Sequence, residues 1–246
     1  MDNKALAVNK INLKAITGLI IATVATMLAM LISSSINFIL WLGTDGIHWR
    51  GADGIGNDIS PANAFLLLPL MASIGIPAYN FRRVINLGGK RSNFFSGTAI
   101  TYVILAVIAS LLVTISNFTI EPLLERSPYF NPDFLGGIVN LTEVFGWDQR
   151  GFIIAFVQLT AFSLLFAAFV HTLTSAQGKW YGWLANITII AVISVFTPIP
   201  VLRRSLVWFF NLIIFHQNAL IQIVACLALA AGVYALSRPI LARKTI

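Results

Sequence analysis

The chain has 246 residues, of which 58% are hydrophobic and only 10% are charged. Average soluble domains carry about 25% charged residues, so this composition excludes a soluble globular protein. The net charge of +7 comes from basic residues clustered between uncharged stretches, which is typical of a polytopic membrane protein and does not indicate nucleic-acid binding.

Six uncharged stretches are each long enough to cross a bilayer, which takes about 20 predominantly apolar residues. The sequence therefore predicts an all-α fold, a single transmembrane domain over residues 1–246 with six membrane-spanning helices. The predicted spans are residues 16–42, 64–79, 98–115, 152–174, 180–196 and 219–236.

The distribution of charge predicts that both termini lie in the cytoplasm. With six spans and a cytoplasmic N-terminus, most of the 16 lysines and arginines fall on the inner side, as the positive-inside rule requires. The acidic residues, apart from Asp2, fall on the outer side and agree with this orientation. The inner basic residues are Lys4, Lys10, Lys14, Arg82, Arg83, Lys90, Arg91, Lys179, Arg238, Arg243 and Lys244.

The N-terminal head, before Ala15, mixes apolar residues with Lys4, Lys10 and Lys14. Two interpretations of this head stay open: a helix lying on the inner membrane surface, or a frayed basic tail. After the first span, the Gly- and Asp-rich residues 43–63 form a predicted extracellular loop. Their acidic spacing does not match a calcium loop, so we expect no metal site there.

The second predicted span contains Pro69 and Pro77, and we expect a kink or local unwinding because proline cannot donate a backbone hydrogen bond. Residues 80–97 follow on the cytoplasmic side, with the sequence NFRRVINLGGKRSNFFSG. Basic and apolar residues alternate there at helical spacing. This pattern predicts a helix in the plane of the interface.

Two later segments complete the predicted topology. Residues 117–150 form a long, folded extracellular loop, and residues 175–179 form a tight inner turn. The last uncharged stretch, residues 205–237, is too long for one span. We predict a re-entrant segment at 206–215 and a break at His216–Asn218, covered by another segment or subunit, since irregular backbone is not tolerated against lipid.

The spans hold too few ionisable residues for chemistry inside the membrane. His171 is the one candidate, and a lone histidine favours a structural, hydrogen-bonded role. No zinc pair of the form H-E-x-x-H and no G-x-S-x-G nucleophile motif is present, so we predict no catalytic residue. Cys226 is the only cysteine and is expected to pack as a small apolar side chain.

The run from Leu87 to Ser92 is similar to a phosphate-binding loop but departs from it. Val84 and Arg91 occupy the positions where a Walker A motif requires Gly and Ser or Thr. We therefore expect this chain to bind no ATP by that motif. The scarcity of buried acids also disfavours a transporter driven by an ion gradient.

Residues 80–97 resemble the coupling region of the membrane subunits of ABC exporters, in the class called type-2 permeases. In that family a run of the form R-x-x-x-x-L-G-x-x-R/K-x-x-F-F links spans two and three, and the ATPase subunit docks on it. The family also has six spans, cytoplasmic termini and re-entrant helices between spans five and six. The matching coupling residues here are Arg82, Arg83, Leu87, Gly88, Lys90, Arg91, Phe94 and Phe95.

The re-entrant element that the resemblance implies carries candidate gate residues. They are Leu206, Trp208, Phe209, Phe210 and Phe215. One departure concerns the N-terminal head, which is shorter and less acidic than the amphipathic helix of many such permeases.

The resemblance implies a permease subunit of an ATP-driven exporter in the cytoplasmic (inner or plasma) membrane of a bacterium. Its cargo would be amphipathic or hydrophobic: a peptide, an antibiotic or a lipid-like molecule. Expected partners are ABC ATPase subunits, a second permease copy or paralogue, and membrane lipid, with no nucleic acid. This chain would bind no cofactor or metal, because ATP and Mg²⁺ belong to the ATPase.

Two other functions stay open at this point. One is an ATP-independent membrane immunity or scaffold protein. The other is an ion-coupled secondary transporter.

Overall fold

A computed structural model describes residues 6–14, 16–18, 21, 25, 61–120 and 141–242, and no strand occurs among them. Most of the predicted first span and of the loop at 43–63 lies outside these residues, as do residues 121–140 of the second loop. The all-α prediction is confirmed for the described chain.

The described residues include eight α-helices, and a short 3-10 turn at Asp148–Arg150. The N-terminal helix, α1, covers residues 6–14. The remaining helices are α2 (Asn63–Asn86), α3 (Arg91–Ile115), α4 (Leu141–Val144), α5 (Phe152–Ala176), α6 (Trp180–Phe196), α7 (Pro200–Phe210) and α8 (Ala219–Ala242).

Four of the described helices, α2, α3, α5 and α8, are long and apolar enough to cross a membrane. Helices α6 and α7 raise the number to five if the bent pair counts as one span. The chain thus has the character of a membrane protein with several spans, while most of the predicted span at 16–42 lies outside the described residues.

Helix α5 is the centre of the bundle. It packs most extensively against α8 and also contacts α2, α3 and α6. Several buried positions of α5 are alanine, among them Ala155, Ala161, Ala167 and Ala168. Small residues let helix backbones approach closely, and close packing is what holds helices together in a bilayer, where burial from water contributes little.

The bundle has two ends with different chemistry. We call the basic end the one that carries α1, the turn between α2 and α3, and the last turns of α8, which share a core around Phe81, Phe94 and Leu241. The distal end carries α4, residues 145–151, the end of α7 and the start of α8. Its core is built around Trp147 and Leu159.

Helix α2 differs from its prediction at its C-terminal end. The expected irregularity is present, because Pro77 lies in a π-helical turn at Ile76–Asn80. The helix nevertheless continues to Asn86 instead of ending near residue 79, because Phe81 and Val84 are buried against the core of the basic end. Residues 80–97 therefore form no separate interfacial helix: they divide between α2, a turn and the start of α3.

The segment after α6 also starts earlier than predicted. Helix α6 has the predicted bounds, 180–196. Helix α7 begins at Pro200, since proline suits the first turn of a helix, and the axes of α6 and α7 are bent by 116°. A π-helical turn, Asn211–Phe215, extends α7, and the break at His216–Asn218 occurs where it was predicted.

Candidate functional site

A defined C-cap joins α2 to α3 at the basic end. The Gly88 N–H donates to the Ile85 carbonyl and the Gly89 N–H to the Val84 carbonyl, both at 2.9 Å, which is the Schellman arrangement. Gly88 has a φ of 80°, a conformation that favours glycine. A Cβ on Gly89 would lie 2.8 Å from the Val84 carbonyl oxygen. The corner at 87–90 therefore has a specific shape.

The outer surface of this corner is basic with an apolar tip. Leu87 is 70% exposed, and Arg82, Arg83 and Lys90, which are close to it along the chain, are also exposed. Arg91 is also exposed, and its guanidinium donates to the Ala242 carbonyl at the end of α8. The corner thus exposes a large apolar side chain together with several cations, and Arg91 ties it to α8.

The phenylalanines of the predicted coupling motif, Phe94 and Phe95, pack against aromatic rings of α2 and α8. Phe94 and Phe81 are fully buried, and their rings meet edge to face with centroids 5.2 Å apart. Phe95 stacks on Tyr234 with a centroid distance of 4.5 Å, and the Tyr234 hydroxyl donates to the Phe95 carbonyl at 2.7 Å. Phe81 and Phe94 thus connect the corner to the core, and Phe95 is half-buried beside them.

A buried polar network attaches α1 to the corner. The Asn12 amide donates to the Thr98 hydroxyl at 3.2 Å, and its carbonyl oxygen accepts from the Asn80 amide at 3.1 Å. The Thr101 hydroxyl is 2.9 Å from the side-chain oxygen of Asn9. Helix α1 therefore packs on α2 and α3 through one face and is not a frayed tail.

Sequence reasoning missed this network, although a signal was present. Asn9 and Asn12 are one helical turn apart, and so are Thr98 and Thr101. Two polar pairs with the same spacing on two helices are complementary when the helices face each other.

His171 on α5 is fully buried and hydrogen-bonded. Its Nδ1 lies 2.7 Å from the Tyr102 hydroxyl, and its Nε2 lies 3.4 Å from the Ser175 hydroxyl. The centroids of the His171 and Tyr234 rings are 5.1 Å apart. This environment agrees with the structural role expected for a lone histidine. Within residues 6–14, 61–120 and 141–242, no cluster of His, Cys, Asp and Glu could hold a metal ion.

At the distal end, side chains from other helices satisfy the carbonyls around the π-helical turn of α7. The Ile213 carbonyl accepts from the Gln222 amide at 3.0 Å, and the Ile214 carbonyl accepts from the Trp147 indole N–H at 2.9 Å. The Arg150 guanidinium donates to the His216 carbonyl at 2.7 Å. This group of contacts, the distal clasp, covers backbone that the helix break leaves without intrahelical partners.

Gln222 is the centre of the distal clasp. Besides its donation to α7, its carbonyl oxygen accepts from the Gln158 amide at 2.6 Å and from Arg150 at 3.2 Å. Cys226, one turn further along α8, contacts the Ile213 carbonyl at 3.4 Å. The clasp residues Arg150, Gln158 and Gln222 were not predicted, although glutamine is unusual in apolar spans and was a usable signal.

The predicted gate residues lie mostly on the surface of the described chain. Trp208 is 67% exposed, and Phe209, Phe210 and Phe215 are also exposed. Phe215 contacts Phe145 with ring centroids 6.0 Å apart, whereas Leu206 is half-buried. Only Phe215 among them is in ring contact with the distal core.

Comparison of the chain with protein-family models, with curated proteins and with solved structures finds no match.

Proposed function

We propose that the chain is the membrane-spanning permease subunit of an ATP-driven ABC exporter of the type-2 class. The observation that carries this proposal is the corner at the basic end, where Leu87 is exposed and Arg82, Arg83 and Lys90, close to it along the chain, are exposed too. An exposed apolar side chain among exposed cations suits docking into an acidic-rimmed cleft of a partner protein, because complementary charge guides association and fixes orientation. The proposed partner is a separate ATPase subunit.

The anchoring of the corner supports a mechanical role. The Schellman cap fixes its shape, and buried Phe94 and Phe81 connect it to both α2 and α3. Asn12 extends this unit to α1 through Thr98 and Asn80. A displacement of the corner by a partner would therefore move three helices together, because closely packed elements transmit strain.

The proposed transport mechanism is alternating access, in which ATP-driven movement of the ATPases rearranges the spans around a central cavity. A second permease copy or paralogue completes that cavity. The apolar, phenylalanine-rich spans favour an amphipathic or hydrophobic cargo, such as a peptide, an antibiotic or a lipid-like molecule. We place the protein in the cytoplasmic membrane of a bacterium with both termini inside, because the basic residues cluster at one end.

Charge reversal at the corner tests the proposal. In the triple variant R82E/R83E/K90E, we expect the ATPase subunit to be lost from the purified complex and ATP-dependent export to fall at least tenfold, since like charges facing across an interface are repulsive. Arg91 is left unchanged because its guanidinium binds the end of α8. The matched control is R203E/R204E, which reverses two exposed cations on α7.

The outcomes separate the three candidate functions. Transport that survives the triple variant contradicts the coupling role. Activity without any ATPase subunit supports an immunity or scaffold protein instead, and activity that collapses when the proton or sodium gradient is dissipated supports a secondary transporter.

A further inference from the structure

Helix α7 and its π-helical turn slope back along the bundle from the distal end. Together, Pro200–Phe210 and Asn211–Phe215 have a helical length of about 24 Å, and their axis is bent by 116° from that of α6. A bend larger than a right angle reverses direction. The segment therefore returns about 10 Å along the axis of α6.

The π-helical turn lies at membrane depth. Its residue Ile213 shares a buried cluster with Ala161 of α5 and Cys226 of α8. Both partners lie about two turns or more from the distal ends of their helices, and α5 and α8 are long and apolar enough to cross a membrane. The first half of α7 is therefore nearer the membrane surface than its last turn.

Only a narrow side of α7 is covered by the described part of the chain. Leu202 and Leu206, which are one turn apart, are half-buried, and no residue of α7 is fully buried. Every other residue from Val201 to Phe210 is exposed. Most of the surface of this helix is therefore open to lipid, water or another molecule.

The exposed residues of α7 change from basic to aromatic along the helix. Arg203 and Arg204 are exposed in its first half, whereas Trp208 and Phe210 in its last turn are 67% and 46% exposed. Arg204 and Trp208 are four residues apart and so lie on the same side of the helix. Neither guanidinium has an ion-pair or hydrogen-bond partner among the residues that the structure describes. Two unpaired cations thus lie nearer the membrane surface, and aromatic rings lie deeper.

We infer that the exposed side of α7 binds anionic phospholipid, with the phosphates at Arg203 and Arg204 and the upper acyl chains around Trp208 and Phe210. Helices of the membrane interface combine Lys or Arg with Trp and Phe in this way, and anionic headgroups attract the cations. The slope of α7 favours lipid over an acidic protein partner, because the aromatic half of the helix enters the membrane. The inference does not depend on ATP coupling and goes beyond the proposed function.

A fluorophore on α7 of the full-length chain in lipid nanodiscs reports which lipid surrounds this helix. Val207→Cys, labelled with bimane in a Cys226→Ala background, places the probe at an exposed position one turn after both arginines. We expect brominated lipids to quench the probe, since lipid covers this side of α7. Brominated phosphatidylglycerol should quench it at lower concentration than brominated phosphatidylcholine, since the arginines attract the anionic headgroup.

The preference for the anionic lipid should depend on the two arginines. In the labelled chain, R203Q/R204Q should lower the preference for phosphatidylglycerol over phosphatidylcholine about fivefold for each cation removed. R203K/R204K keeps both charges and should keep the preference. The matched control R82Q/R83Q removes two exposed cations at the basic end and should leave the quenching at position 207 unchanged.

Any of three results would overturn the inference. Absence of quenching by both lipids would mean that water or a partner protein, and not lipid, surrounds α7. An unchanged preference in R203Q/R204Q would mean that the arginines do not select the headgroup. An equal loss of preference in R82Q/R83Q would mean a general effect of the net charge of the protein.

Discussion

The basic end and the distal end both bury polar side chains, but they use them differently. At the basic end, the Asn12 side chain binds the side chains of Asn80 and Thr98 and so links α1 to α2 and α3. At the distal end, Gln222 and Arg150 bind main-chain carbonyls beside a helix break. The first network joins helices, whereas the second compensates backbone that the break leaves without partners.

This difference predicts which end depends on its polar residues. A side chain that loses its hydrogen-bond partner on another helix can form a new hydrogen bond. Thr101, for example, has a second partner in the Gly97 carbonyl of its own helix. A carbonyl at a helix break has no such choice, and an unsatisfied buried group costs about 1–3 kcal/mol. Loss of a polar side chain should therefore destabilise the distal end more than the basic end. Loss of a packed apolar side chain should be the more damaging change at the basic end.

The largest effect is expected from Phe94→Ala under the corner. The ring is fully buried, and its removal leaves a cavity that should lower the free energy of unfolding by about 3 kcal/mol. Reversible unfolding in mixed micelles measures this change. The control Phe210→Ala truncates an exposed ring and should cost less than about 0.5 kcal/mol; similar losses in both variants would mean that the corner is not anchored by packing.

The next effect concerns the centre of the distal clasp. Gln222→Leu removes the donor to the Ile213 carbonyl and the acceptor for Arg150 and Gln158. We expect a loss of about 2 kcal/mol in the same unfolding measurement. A smaller loss than that of Asn12→Leu would contradict the expectation that the distal end is the more sensitive to loss of a polar side chain.

A smaller effect is expected from Asn12→Leu in the basic-end network. Interhelical hydrogen bonds in membrane proteins contribute on average about 0.6 kcal/mol each, so the loss of contacts with Thr98 and Asn80 should cost about 1 kcal/mol. Faster hydrogen exchange in α1, with unchanged exchange in α5, would show that the loss is local. Unchanged exchange in α1 would contradict the attachment of this helix through Asn12.

The smallest effect is expected from Gln158→Leu. Within the described part of the chain, the side-chain oxygen of Gln158 is buried without a hydrogen-bond partner, so the variant removes one contact together with one unsatisfied atom. Arg150 still reaches Gln222, and we expect a change within about 0.5 kcal/mol. A loss as large as that of Gln222→Leu would show that the hydrogen bond from Gln158 stabilises the clasp as much as the contacts of Gln222 do.

The sequence predicted the bounds of α5 and α6 well, whereas α3 begins before the predicted residue 98 and α8 continues past the predicted residue 236. Helix α6 has its predicted bounds, and α5 extends only two residues beyond its predicted end. Hydropathy and charge determine such helices almost alone, since a helix must satisfy its own backbone in lipid. Helix ends near polar segments were less predictable.

The C-terminal end of α2 shows why helix ends near polar segments were less predictable. Residues 81–87 have a pattern of apolar and basic side chains that suits both an interfacial helix and an extension of the span. What decides between them is the burial of Phe81 and Val84 against α1 and α3, which is a tertiary contact. The same holds for the clasp, because pairing Gln158 with Gln222 requires knowing that α5 and α8 are neighbours.

Site-specific photocrosslinking tests the central claim, ATPase docking at the basic end, most directly. A photoreactive amino acid replaces Leu87 at the corner or, as a control, the exposed Trp208 on α7, and native membranes are illuminated. We predict that the Leu87 position captures a chain with Walker motifs, identified by mass spectrometry, and that the Trp208 position does not. Equal capture from both positions, or no ATPase at Leu87 in membranes that still export, would contradict the account.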